Sequence, residues 1–368
     1  LSRELFEKFQ SAAEWQPSTG FADDMYATLR IVSLRFDHCP GLVPSPADCL
    51  PQIRMVVQPI LGEGGRVAVE DATLHLLFDI PLKEFPDLVR DIRALKSFGP
   101  DLTSGEPLGV HPRLASSAPG VARTFSAGLM DLVKKYAGES RLSRIASMFS
   151  KSTFLLTKDN WVFAATNIEG GEATVVKLPH LEPHPFFPNT SETLVLRSSF
   201  GVFDPTNPNF DPNSPDPNNI GEATRNGAIV PRPVADRDNA LFFIDSRNWA
   251  DKSRRAEVER RLVTLLRIEN PTLNSPLTMD CASCHVTTQI KTALQAHGYG
   301  DLLEKVKDQA YEAPSGVTLS ERQRQGDEAG GKEAYVTVNF GYFGSGPAIS
   351  QRTVNESAHV AAAFNAMP

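Results

Sequence analysis

Cys281-Ala282-Ser283-Cys284-His285 is the run whose residue types and spacing define a chemistry most sharply. Two thiols three positions apart can each add to one vinyl group of a haem, and the residue after the second thiol then sits under the iron. On this reading Cys281 and Cys284 hold the porphyrin and the imidazole of His285 is the proximal ligand. Three other chemistries use closely spaced thiols. A thioredoxin-like redox pair wants a strand in front and a helix opening at the first cysteine, whereas Asn270 to Pro276 is a loop punctuated by two prolines. A zinc site needs four ligands. Cys39 and Cys49 can complete an all-cysteine set, which gives His285 no role. A Cys281–Cys284 disulfide also leaves the histidine unused.

In the pentad and its flanks the chain resembles the c-type cytochromes, and the rest matches no named family. The resemblance implies one covalently held haem c, attached in bacteria outside the cytoplasm. The expected location is therefore the periplasm or cell surface, and a start at Leu1 rather than methionine suggests a removed export signal or lipoprotein leader with its lipid anchor. Small cytochromes c usually supply a methionine some tens of residues after the pentad. Here the one methionine after His285 is Met367, next to the C-terminus, where fraying is expected. Met279 is too close to Cys281 to reach the opposite haem face. The sixth ligand then comes from the large N-terminal portion, is a downstream histidine, or is absent. That choice separates electron transfer from ligand binding.

Among the histidines His111 leads, because Pro112 holds it extended in a loop able to present a side chain into a cleft. His38 adjoins Cys39; His75 falls on the polar face of a strand, solvated or hydrogen-bonded; His180 and His184 sit in a proline-rich loop. His297 lies about three turns beyond the pentad, and His359 is on the last helix. Met55, Met130 and Met148 read as core residues. Arg352 can pair with a haem propionate, since guanidinium matches a carboxylate bidentately.

At 368 residues the chain far exceeds what a haem-binding domain requires. Its 22% charged content and ordinary hydrophobicity indicate a globular protein. No apolar run approaches the ~18 residues of a membrane span. The formal charge of -7 argues against nucleic acid and suits a basic redox partner protein. Cys39 and Cys49, among Pro40, Pro44, Pro46 and Pro51, are expected to form a disulfide worth about 3 kcal/mol on the chain-entropy model. No thiol is then left over, as an oxidising compartment favours.

The elements that must carry the pentad follow from periodicity. Val32, Leu34 and Phe36, then Ile53, Met55 and Val57, then Leu74, Leu76, Phe78 and Ile80 alternate as half-buried strands of an antiparallel sheet. Leu82 to Leu95 and Ala122 to Tyr136 have helical spacing. Strands are expected at Thr153 to Thr157, Asn160 to Thr166, Ala173 to Leu178 and Thr193 to Phe200, with a hairpin at Glu169-Gly170-Gly171. Asp204, Asp211 and Asp216 lie in a Pro/Asn/Asp-rich loop whose oxygens can hold Ca²⁺, although Asx-Pro turns also explain that composition. Helices return from Asp251, at the haem motif with Gly298 as C-terminal cap, over Leu302 to Val306, and over Thr353 to Asn365.

The expected fold is α+β: an antiparallel sheet with packed helices in residues 1–250, then a mainly helical mono-haem segment in 251–368. The expected function is one-electron transfer. The alternatives are a peroxidase-like enzyme or gas sensor with an open sixth position, and a cell-surface structural module binding zinc or an accessory haem.

Overall fold

The computed structural model describes residues 1–13, 15, 24–38, 50–63, 66–70, 72–97, 109–152, 159–175, 183–184, 187–195, 240–244, 247–275, 279, 281–314, 341–343 and 346–367. Cys39, Cys49, Asp204, Asp211 and Asp216 lie outside them, so the disulfide and calcium expectations do too.

Strands β1 (Leu29–Asp37), β2 (Gln52–Glu63), β3 (Arg66–Val69), β4 (Ala72–Asp79), β5 (Leu142–Ser152), β6 (Asp159–Glu169), β7 (Glu172–Val175), β8 (Pro183–His184) and β9 (Phe187–Val195) build one sheet. Its order is β1-β2-β4-β5-β6-β9-β8, with β3 on β2 and β7 on β6. Every described pairing in it is antiparallel. The expected Gly170-Gly171 hairpin joins β6 to β7, both glycines at positive φ. The mixed α+β class is therefore as the sequence indicates. β5 is an addition, because the first strand expected after the second helix was at 153–157, outside the described residues.

Strand alternation gives the sheet two different faces. Register places Leu34, Met55, Leu76 and Ile145 in one row, with Phe36, Ile53 and Phe78 beside it. This face is packed by Leu5, Phe6 and Phe9 of α1 (Arg3–Ala13), then, beyond the short α2 (Met25–Thr28), by Leu88 of α3 (Phe85–Ser97) and by Leu132 and Tyr136 of α4 (Val121–Tyr136). Burying each such side chain contributes roughly 1.5–3 kcal/mol.

The opposite face carries Arg35, Arg54, His75 and Arg144 but also Ala146, Met148 and Ala165. Helices α5 (Leu241–Ile244), α6 (Arg247–Ala250), α7 (Arg255–Arg261), α8 (Val263–Glu269), α9 (Cys281–Leu294) and α10 (Gly300–Lys305) follow in the chain. Phe243, Trp249, Leu262, Leu265, Ile290 and Leu294 form one core with Met148 and Ala165. The helices thus begin at Leu241, ahead of the expected Asp251, and share a core with the sheet. A small hairpin, β10 (Gly341–Phe343) with β11 (Gly346–Ala348), leads into α11 (Gln351–Ala366), which lies over β1. Ser350 caps α11 by accepting from Thr353 N at 3.3 Å.

Candidate haem attachment site

α9 opens at Cys281. Positions 281, 284, 285 and 288 therefore fall on one helix face by the i, i+3, i+4, i+7 rule. Two thiols and an imidazole at those positions are the donor set that a covalently held haem requires. Cys284 is half-buried against the core formed by Ile290 and Leu294. The side chains of Cys281 and His285 lie outside the described part.

Three neighbours fix the start of this helix. Ser283 is buried, and its Oγ accepts from Ala240 N at 2.6 Å, which ties α9 to the entry of α5. Thr288 Oγ1 donates to Glu269 Oε1 at 2.9 Å and accepts from Gln351 N at 3.1 Å, joining α9 to the end of α8 and the beginning of α11. Lys291 also pairs with Glu269. The element in front of the pentad is helix α8 followed by turns at 271–273, so the strand that precedes a thioredoxin-like pair is replaced by a helix.

Beneath α11 is a buried ionic cluster that the sequence reading overlooked. Arg35 Nη2 donates to Asp37 Oδ2 at 2.9 Å, and Arg35 also pairs with Glu356 of α11. Arg54 Nε lies 3.1 Å from Asp37 Oδ2, and Arg352 Nε donates to Glu356 Oε1 at 2.7 Å. Burial raises the Glu356 carboxyl, but the fields of Arg35, Arg352 and Arg54 outweigh it and leave its pKa well below the ordinary range. Burial lowers Arg35, and Asp37 and Glu356 more than restore it, so its pKa ends above the usual value. For Arg54 burial wins, and its pKa falls. A legible signal existed: Arg35 and Asp37 share a strand face, and Arg352 and Glu356 are an i, i+4 pair on a helix.

Two expected site residues make well-defined contacts within the fold. Arg352, read as a propionate partner, is 3% exposed and is occupied internally. Besides Glu356 it donates to Ile268 O at 2.8 Å and Asn274 O at 2.9 Å. It thereby satisfies a carbonyl left open at the C-terminal end of α8. His111 stacks on Phe125 of α4, with ring centroids 4.5 Å apart, and its Nδ1 accepts from Arg113 N. These contacts fix it beside the helix pair α3–α4.

The remaining described histidines divide by position. His75, expected on a solvated face, lies on the face that the C-terminal helices cover. Burial, then the nearby Arg54 and Arg35, push its pKa down to about 4, so the imidazole is neutral at pH 7. His38 and His359 face each other at 6.1 Å, and Tyr311 is 6.2 Å from His359. Burial lowers the pKa of both histidines. His297 packs against Trp249 at 5.5 Å. Met148 is 1% exposed in the core shared with α9.

No family model matches the chain, and neither does a curated protein or a solved structure.

Proposed function

We propose that this chain is an exported mono-haem c-type cytochrome that transfers one electron at a time to and from a redox partner protein. The observation that carries this reading is the pentad at the opening of α9, a helix held simultaneously by α5, α8 and α11. When bound, haem c supplies a one-electron couple whose potential follows from its axial ligands and surroundings. In this reading Cys281 and Cys284 bind it covalently, His285 ligates from one side, and the mainly helical segment 251–368 carries it while the sheet backs that segment. The helix in front of the pentad supports haem over a thioredoxin-like pair. Fixed attachment favours electron transfer, because a rigid first turn avoids rearrangement between oxidation states. The absence of a methionine between His285 and Met367 supports a second reading, an enzyme or gas sensor with an open sixth position.

Expression with export and the haem c maturation machinery tests the proposal. The wild type should stay red after acid-acetone extraction, and Cys281→Ala or Cys284→Ala should leave the haem extractable or absent. A colourless wild type carrying stoichiometric zinc would refute it. Rapid CO binding by a five-coordinate ferrous wild type would select the open-site reading.

A further inference from the structure

The end of β1 and the second half of α11 meet at a pair of imidazoles that neither the ionic cluster nor the pentad uses. α11 runs in the same direction as β1, since Glu356 meets Arg35 and His359, one turn further on, faces His38. The two ring centroids are 6.1 Å apart. A third segment, the chain that follows residues 307–309, brings Tyr311 to 6.2 Å from His359. Asn270, at the end of α8, anchors that segment by donating its Nδ2 to Gln309 O at 3.0 Å. Phe364 packs edge-on against His38 at 6.4 Å and against Phe85 at 5.8 Å, which sets aromatic rings beside the pair.

Packing alone does not account for two polar atoms in this cluster. His38 Nδ1 and Tyr311 Oη are buried, and neither has a hydrogen-bond partner among the described residues. Tyr311 as a whole is only 8% exposed. An unpaired buried polar group costs free energy, so native folds nearly always satisfy one with protein, water or a ligand. Both atoms belong to side chains grouped around His359, so a single bound species can serve them together.

The residue types select that species. A neutral imidazole offers a lone pair to a metal, and imidazoles suit late first-row divalent ions. Burial lowers the pKa of both histidines, which keeps them in the neutral, ligating form at pH 7. Imidazole nitrogens bind such ions at about 2.0–2.1 Å, so two rings on one ion have centroids roughly 5–6 Å apart. The observed pair is close to that spacing. Burial also raises the Tyr311 pKa, so its phenol stays protonated and is a donor to ion-bound water. Asp37 and Glu356 favour a cation near the pair, and Arg352 opposes it.

We propose that His38 and His359 hold one Zn²⁺ or Cu²⁺ ion between the end of β1 and α11, with Tyr311 Oη hydrogen-bonded to a water on the ion. The site is distinct from the pentad. α11 meets Thr288 of α9 at Gln351, eight residues before His359 and so about 12 Å away along the helix. The ion clasps the second half of α11 to the sheet, one turn beyond the contact of Glu356 with Arg35.

The test titrates the tag-free full chain with ZnCl₂ and with CuCl₂, by equilibrium dialysis and metal analysis. Free thiols are alkylated beforehand so that no ion is counted on cysteine. The wild type should bind one ion per chain, Cu²⁺ more tightly than Zn²⁺, and its melting temperature should rise with the ion. His38→Gln and His359→Gln should each weaken binding beyond the ~10–100-fold typical of an outer-shell partner, and Tyr311→Phe by about 10-fold. The ion should no longer raise the melting temperature of either imidazole variant. Tyr311→Phe keeps its ring in the core and decides the matter if neither imidazole variant accumulates. No saturable binding by the wild type would give the two unpaired atoms to buried water and overturn the proposal. An unchanged Kd in either imidazole variant, or in Tyr311→Phe, would overturn it too. The site shares no residue with the pentad, so each of these outcomes leaves the haem reading as it stands.

Discussion

Glu356→Gln is the most demanding test of how the sheet and the C-terminal helix are joined. The side chain of Glu356 is 13% exposed, and its partners Arg35 and Arg352 are 22% and 3% exposed. Removing one partner of a buried ion pair costs about 3–5 kcal/mol, mostly because the remaining charge is left uncompensated. Two features moderate that here: Asp37 still faces Arg35 and Arg54, and the new amide oxygen can still accept from Arg352 Nε. We therefore expect a loss of about 3 kcal/mol at pH 7, read from urea unfolding. The pH dependence provides a second measure. The Glu356 pKa is lowered by folding, so the native state binds its proton less readily than the unfolded state. The carboxylate then contributes stability above the unfolded pKa of about 4.3, and that contribution is lost as the pH falls below it. The gap between wild type and variant should be full at pH 7 and narrow on descent from pH 5 to 3. A gap under about 1 kcal/mol at pH 7, or one that stays constant through the acid range, would refute the placement of α11 over a buried cluster.

Gly298→Ala should cost about 1–2 kcal/mol, because Gly298 has φ +82° where the chain turns from α9 into α10, while its added Cβ would meet only Lys252 Nζ at 3.7 Å; equal urea midpoints would count against that turn. His111→Ala should lower stability by about 1 kcal/mol through loss of the Phe125 stack and leave the haem spectrum unchanged; a change to high spin would reinstate it as a ligand. In the exported protein Cys39 and Cys49 should appear as a linked pair in non-reducing peptide maps, their bond worth about 2–4 kcal/mol, and two alkylatable thiols would exclude it.

The parts of the fold that were legible in the sequence are those with one apolar side. The first strands show clean alternation because Leu74, Leu76 and Phe78 pack inward, and α4 shows its helical spacing for the same reason. β5 has no such pattern. Ile145 packs towards α1 while Met148 packs towards α9, so apolar residues fall on both sides of the strand. A central strand covered on both faces loses the period-two signal. The pentad was fully legible because its chemistry depends on residue type and spacing alone. Its neighbours were not: Thr288 and Ser283 carry no motif, and their contacts to Gln351 and Ala240 are set by the packing of distant segments.

The failure over His75 has a more instructive cause. Period-two alternation separates apolar from polar faces, and polarity normally implies solvent. On β1 and β2 that inference breaks down because their charged residues meet a helix that is itself polar on its facing side, and on β4 because the His75 row runs on to Ala146 and Ala165 of the core shared with α9. Arg35, Asp37 and Arg54 on the strands meet Arg352 and Glu356 on α11, and each charge finds an opposite one. Such an interface has little net stabilisation over an apolar one of equal volume, so its retention calls for a reason other than stability. A polar layer admits the neutral imidazole of His75 on this face. The charges also fix the position of α11 along β1, and α11 in turn holds α9 through Thr288. Each step from Arg35 to Thr288 is a directional contact, so the position of the pentad over the sheet is specified by geometry rather than by general burial. Weakening the cluster through Glu356→Gln should therefore loosen the start of α9 as well as α11.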